Sequence, residues 1–287
     1  MDPVLADLLK LLTLDQVEDN IFRGESRDIG SPQVFGGQVL GQALGAASKT
    51  VDDRVAHSLH AYFLRRGDVD APIVYEVDRA RDGRSFSNRR VVAIQHGRQI
   101  FNMTASFQIQ ETGLKHQATM PDVPGPSGLA DLRDINKDIL TKVPERVRRF
   151  LTMERPFEAR PVHKPNFLSN EKLEPVKHIW MKAIDRVPDD DETNQALLAY
   201  VSDYELLGTA TLPHGLRFVR EQMQMASLDH AMWFHHSCRV DQWLLFSFDS
   251  PSASGSRGLA RGKVFTRDGL LVASTAQEGL IRVRNSS

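Results

Sequence analysis

The chain has 287 residues, enough for one large domain or two ordinary ones, and 41% of them are hydrophobic against 25% charged. A formal net charge of −1 gives no reason to expect nucleic acid or an anionic membrane as partner, and pairs such as Arg89-Arg90 and Arg148-Arg149 are too short to change that. The lone Cys238 excludes a disulfide framework and a thiolate-rich metal site, and it fits a reducing compartment.

The N-terminal "MDPVLADLLKLLTLDQVEDN" has leucines at helical spacing interrupted by Asp2, Asp7, Lys10 and Asp15, so it predicts a helix and not a signal peptide. No stretch approaches the roughly 18 apolar residues of a membrane span, and "RNSS" at the C-terminus matches neither a lipid anchor nor an SKL-type address. A cytoplasmic location is the expectation. Next comes "VFGGQVLGQALGAASKTV" (34–51), where Val39, Leu40, Ala43, Leu44 and Ala47 make a helical stripe. Its glycines at 36, 37, 41 and 45 weaken the helix by roughly 1 kcal/mol each, which makes sense if the helix lies very close to a sheet. Three extended segments follow, at 57–65, 72–83 and 85–109, the last divided at "HGR" by a glycine-turn signal. This is one helix followed by an antiparallel meander.

"HQATMPDVPGPSG", with prolines at 121, 124 and 126, predicts a linker over the surface. A mixed helical stretch, 129–151, follows and is broken at Pro144, and strands at 155–162 and 175–184 lead into a second helix. The helix is then followed by extended segments at 223–235, 242–250 and 258–283, the last divided at "RDG". Ser58-Leu59 aligns with Ser227-Leu228, Gly97 with Gly269, and "TASFQ" (104–108) with "STAQE" (274–278); Ser58 to Thr104 spans 46 positions and Ser227 to Ser274 spans 47. The reading is an internal duplication: a first repeat at 1–112, a linker at 113–150 and a second repeat at 151–287.

The second helix, "ALLAYVSDYELLG" (196–208), is apolar nearly all round, so it predicts a buried helix with Asp203 held partly out of water. A buried carboxylate either raises its pKa or finds donors. Taken alone, Asp203 could pair structurally with a cation such as Arg217, Ser227 could be a strand residue bonded to backbone, and Gln277 could be a sheet-edge amide.

A long helix wrapped by antiparallel sheet, twice in one chain, resembles the α+β double hotdog fold. The blocks "FRGES", "QVFGGQVLGQAL", "HSLHAYFLRRGD", "RDGRSFSNRRVVAIQHG", "MTASFQ", "ASLDHAMWFH" and "SRGLARGKVFTRDGLLVASTAQEG" together resemble the acyl-CoA thioesterase II family, in order from about residue 8 to about residue 282. The resemblance implies hydrolysis of fatty acyl-CoA to fatty acid and CoA, without a cofactor or metal. It places the catalytic set on Asp203, Ser227 (where other members often carry Thr) and Gln277. It also implies an apolar acyl tunnel lined by the helices at 34–48 and 196–207, and a dimer or tetramer of the double unit.

Thioester hydrolysis needs a positioned water, a group to take its proton and donors for the oxyanion. Asp203 suits the proton acceptor, with Ser227 and Gln277 fixing the water or the carboxylate. Gly36 and Gly37, at a helix start, could offer N–H groups to the thioester oxygen, or could serve close packing alone. A covalent route through Ser227 needs a base beside the hydroxyl; His230 is three residues on, which in an extended strand faces the opposite side, and no GxSxG elbow occurs. His57, His60, His230, His235 and His236 lack a Cys or carboxylate at ligand spacing, and "RDGRSF" lacks the ending of a phosphate loop. Gly45 aligns with Asp203 and Phe107 with Gln277, which predicts one site per chain. A hydratase would want an Asp/His or Glu/His pair, and a binding module would not need the polar set.

Overall fold

The computed structural model describes residues 1–30, 33–134, 140, 141, 143, 145–163, 170–215 and 223–283. Helix α1 (Pro3–Leu12) starts where the Asp2 carboxylate caps the Val4 N–H at 2.8 Å, with proline in the first turn where its missing N–H costs nothing. Two short strands follow, β1 (Asp15–Glu18) and β2 (Ile21–Gly24), then α2 (Gly36–Ser48). The first meander is β3 (Val55–Phe63), β4 (Ile73–Asp82), β5 (Phe86–Gln95) and β6 (Arg98–Gln108). Then come α3 (Glu145–Thr152), β7 (Phe157–Pro161), β8 (Val176–Ala183) and α4 (Asp191–Ser202). A 3-10 turn (Leu207–His214) leads to β9 (Met223–Ser227), β10 (Asp229–Phe234), β11 (Leu244–Ser254), β12 (Arg257–Thr266) and β13 (Leu271–Val283).

These strands form one antiparallel sheet in the order β1-β2-β4-β5-β6-β3-β10-β13-β12-β11-β8-β7, with β9 beside β13. The order reads the same from either end once β3 is matched with β10, β6 with β13, β5 with β12, β4 with β11 and β2 with β8. Each half therefore wraps one long helix, α2 or α4, and the halves join edge to edge at β3–β10, where Leu59 faces Met232. This is the double hotdog. Its main apolar core spans both halves, with Leu40 and Leu44 of α2, Leu197 and Leu198 of α4, and Leu59 and Met232 of the joining strands all buried.

The structure changes three expectations. Two of the glycines of α2 lie against α4 and not against a sheet: a Cβ on Gly37 would overlap the Tyr200 carbonyl, and one on Gly41 would sit 2.9 Å from the Ala196 carbonyl. Rising numbers on one helix meet falling numbers on the other, so the two helices cross antiparallel. The repeat alignment also shifts. With Thr104 matched to Ser274, Ala105 pairs with Leu59 and Thr275 with Met232, so Leu59 corresponds to Met232 and not to Leu228. An offset of four preserves the in–out alternation of a strand, so pattern matching cannot detect it. Finally, residues 129–134 of the expected helical stretch are irregular, while Pro144 and Arg217 lie outside the described residues.

The linker is tied to the second half. Trp180 Nε1 donates to the Pro124 carbonyl at 2.9 Å, Arg160 to that of Pro126 at 2.8 Å, and Gln117 exchanges hydrogen bonds with Gly269 and Leu271.

The neighbours Arg89 and Arg90 show what strand alternation does to a charge. Arg90 is exposed, whereas Arg89 points inward and is 1% exposed. Its guanidinium donates to Thr50 Oγ1 at 2.8 Å, to the Thr50 carbonyl at 2.9 Å, to the Arg81 carbonyl at 3.1 Å and to Asp82 Oδ1 at 2.7 Å, tying the end of α2 to β4. Arg89→Met strands these acceptors, and we expect it to lower stability by about 2–4 kcal/mol, with Arg90→Ala near zero. Urea unfolding of both variants checks it; equal midpoints would show that the buried network carries no stability.

Candidate active site

Helix α4 begins at a well-built cap. The Asp190 carboxylate accepts from the Thr193 N–H at 2.7 Å, and Asn194 ties the cap to Pro188, Asp190 and Val240. It ends earlier than the apolar run predicts, at Ser202, with Asp203 as the C-terminal cap. Glu205 takes a left-handed φ of 62°, which turns the chain out of the helix while Leu206 still enters the core. Asp203 therefore stands at the end of a buried helix and not inside it.

The start of α2 faces that end. The Gly37 N–H donates to Asp203 Oδ2 at 3.0 Å. The other oxygen, Oδ1, accepts from Gln277 Nε2 at 2.6 Å. Gln277 is on the inward face of β13, fully buried, between β12 and β10, so it is no edge amide. Its Nε2 also lies 3.2 Å from Ser227 Oγ. Asp203, Ser227 and Gln277 thus meet at one amide nitrogen, although they come from a helix end and two strands.

Burial raises the Asp203 carboxyl to about 6, against the opposing pull of the Gln277 and Gly37 hydrogen bonds, which favour the charged form. Two donors facing two oxygens suit a carboxylate and not a carboxylic acid. Gly37, expected to offer its N–H to a thioester oxygen, gives it to Asp203 instead. Gly36 sits directly above the carboxylate: a Cβ there would be 2.7 Å from Asp203 Oδ2 and 3.1 Å from the Phe63 ring.

His230 lies on the same side as Ser227, contrary to strict strand alternation. Ser227 pairs with Gly279, but Ala231 pairs with Ala276, so four residues on β9–β10 span three on β13. The extra residue is a bulge at Leu228, stabilised where Asp229 Oδ1 accepts from the Glu278 N–H at 2.7 Å. A bulge undoes the alternation, so Ser227 and His230 both reach the Gln277 amide, the latter with Nδ1 at 3.2 Å. A carboxyl-bearing side chain beside an apolar strand residue is the only sequence trace of that bulge.

The other histidines go elsewhere. His57 meets Ser106 at 2.8 Å, His235 meets Ser274 at 2.9 Å, and His60 packs on Trp233. Among the described residues no group of three or more His, Cys, Asp or Glu is placed to hold a metal, and no helix is long and apolar enough to cross a membrane. Burial, and then the nearby Asp191 charge, push the partly buried Cys238 thiol up to about 12, so it is not activated as a thiolate.

In the first half the corresponding strand position, Phe107, is buried and faces Ala56, and Gly45 lies inside α2. None of these side chains can hydrogen-bond.

Residues 147–280 match the family model described as acyl-CoA thioesterase, and residues 23–108 match that of the acyl-CoA thioesterase N-terminal domain. The chain is 44% identical over 283 residues to acyl-CoA thioesterase 2 of Haemophilus influenzae, covering 98% of this chain and 99% of that protein. It is 41% identical to human acyl-coenzyme A thioesterase 8, covering 96% of this chain and 88% of that one. Among solved structures it is similar to acyl-CoA thioesterase II TesB2 of Mycobacterium marinum, with a TM-score of 0.78 and 41% identity over 97% of this chain and 99% of that one.

Proposed function

The chain belongs to the acyl-CoA thioesterase family and is a thioester hydrolase, and on that premise we propose that it cleaves fatty acyl-CoA by direct attack of a water held at Asp203, Ser227 and Gln277. The observation that carries this reading is the shared donor: one Gln277 nitrogen within hydrogen-bond reach of both Asp203 Oδ1 and Ser227 Oγ.

Asp203 takes a proton from the water as its oxygen bonds to the thioester carbon and the carbonyl electron pair moves onto oxygen. The tetrahedral intermediate collapses by breaking the C–S bond; the CoA sulfur leaves with the proton from Asp203, and the fatty acid remains. Ser227, whose oxygen shares the second Gln277 hydrogen with His230 Nδ1, turns its own hydrogen toward the reacting oxygens. The positive end of α2 stabilises the oxyanion, with the Gly36 N–H as the backbone donor, since that of Gly37 is engaged by Asp203.

A covalent route through Ser227 would need a base beside its hydroxyl. Among the described residues no base is aimed at its hydroxyl: the His230 nitrogens are directed at Gln277 and Ser202.

The test is release of free thiol from acyl-CoAs of graded chain length. Wild type should release thiol, Gln277→Ala should be slower by about 10²-fold or more, and Ser227→Ala should retain roughly 1–10% of the rate, as expected for loss of a positioning hydroxyl and not of a nucleophile. An acyl group trapped on Ser227 in a mass spectrum would overturn direct water attack, and absence of thiol release would overturn the substrate.

A further inference from the structure

The amide of Gln277 can be placed in two ways that fill the same space, and only one of them presents nitrogen to Asp203. Its Oε1 is buried with no hydrogen-bond partner among the described residues, so nothing on the oxygen side selects the orientation. The selection must come from the groups that face the nitrogen. Asp203 faces it, but a water or a protonated carboxyl during turnover changes what Asp203 presents. His230 does not take part in that exchange.

Resting on the reading of Asp203, Ser227 and Gln277 as the reacting set, we propose that His230 is a positioning residue: its Nδ1, kept free of a proton by Ser202, locks the Gln277 amide with nitrogen toward Asp203. The direction of each hydrogen bond follows from the one before it. Ser202 Oγ donates to the Ala199 carbonyl at 2.8 Å, which uses its only hydrogen. At 3.0 Å from His230 Nε2 it can then only accept, so Nε2 carries the imidazole proton. In the neutral ring Nδ1 is therefore an acceptor, and at 3.2 Å it takes, together with Ser227 Oγ, the Gln277 Nε2 hydrogen that Asp203 does not use. The flipped amide would set Oε1 against two acceptors, the Asp203 carboxylate and the Nδ1 lone pair.

Two further observations fit. His230 and Ser202 are both fully buried, and burial pushes the imidazole down to about 4, so it stays neutral wherever Asp203 is ionised. In the first half, Phe107 replaces Gln277 and the residue facing it is Ala56, so the amide and its imidazole are lost together.

The experiment compares His230→Leu, His230→Asn and Ser202→Ala with Gln277→Ala in the thiol-release assay across pH. His230→Leu should lower kcat about 10–100-fold with KM little changed, as loss of an outer-shell partner does. Its acid limb should move above the wild-type position, because a loosened Gln277 no longer helps to hold charge on Asp203. His230→Asn, which keeps an acceptor near the Nδ1 position, should recover most of the rate, and Ser202→Ala should shift the limb in the same direction as His230→Leu. A slow Gln277→Ala beside a His230→Leu with wild-type rate and profile overturns this inference alone; Gln277→Ala as fast as wild type overturns the site and the inference with it. Nitrogen NMR of the histidine-labelled wild-type enzyme decides even where a variant fails to fold. His230 should show a protonated Nε2 and an unprotonated Nδ1 at neutral pH, and a protonated Nδ1 would overturn the assignment.

Discussion

Asp203→Asn should lower kcat/KM for acyl-CoA hydrolysis by about 10²–10⁴-fold, the range typical for loss of a general base. The reason is chemical and not steric: Asn is nearly isosteric, but its amide has no proton affinity at neutral pH. It also has only one oxygen for two donors. The Gly37 N–H and Gln277 Nε2 approach opposite oxygens of Asp203, so the Asn NH₂ must face one of them. In the wild-type enzyme the rate should rise with pH through about 6, where burial has placed the Asp203 carboxyl, and then level off. The linked stability effect has the opposite sense. An acid whose folded pKa lies above its unfolded value holds its proton longer in the native state, so Asp203 costs stability progressively as pH rises from about 4 to about 6. Asp203→Asn removes that dependence. Between pH 4 and pH 8 the variant's stability should therefore improve relative to wild type by about 1–3 kcal/mol. Thiol release against pH and urea unfolding at the two pH values measure both. An Asn variant with the wild-type rate would remove Asp203 from the chemistry, and parallel stability profiles would show that it does not titrate as a buried group.

His230 contributes the reverse slope. Its imidazole is pushed down to about 4, so the unfolded chain binds its proton first on acidification, and stability is lost as pH falls from about 6.5 toward 4. Over much of the same interval the carboxyl gains what the imidazole loses. The stability of the wild-type enzyme is then a poor guide to either group, and only the single variants separate them.

The long elements were legible because burial imposes a period on them. α2 and the hairpin β5–β6 fall where the stripe and the "HGR" turn predict. β1 and β2 were not predicted: four residues each leave too few alternations to stand out, and β1 is exposed along its whole length. The site was legible in a different way. Periodicity pointed to Asp203 as an uncomfortable carboxylate, but nothing in local pattern joined it to Ser227 and Gln277, 24 and 74 residues further on; the family resemblance did that. His230 was lost to the assumption that an extended strand keeps its alternation. The bulge at Leu228 depends on what β13 presents opposite, and that is a tertiary fact.

The glycines of α2 carry the other large expected effect, because they differ in what lies above them. Gly37→Ala would drive a Cβ into the Tyr200 carbonyl and the Phe35 ring, and a backbone carbonyl inside a helix cannot turn aside. The helices must separate, at a cost of about 3 kcal/mol or more. Separation also stretches the Gly37 N–H bond to Asp203, so the carboxylate loses a donor and its pKa climbs further above 6. We expect Gly37→Ala to lose stability and most of its thiol-release activity together. Gly45→Ala is the control within the same helix. The nearest atom to a Cβ there is the Leu12 carbonyl oxygen at 3.9 Å, an ordinary contact, and replacing a helical glycine should add about 0.4–1 kcal/mol through the unfolded chain. Urea midpoints of the two variants should therefore move in opposite directions from wild type. If both moved upward, the helices would not approach as closely as 36–41 and 196–203 require, and the start of α2 would be free to serve a thioester oxygen in place of Asp203.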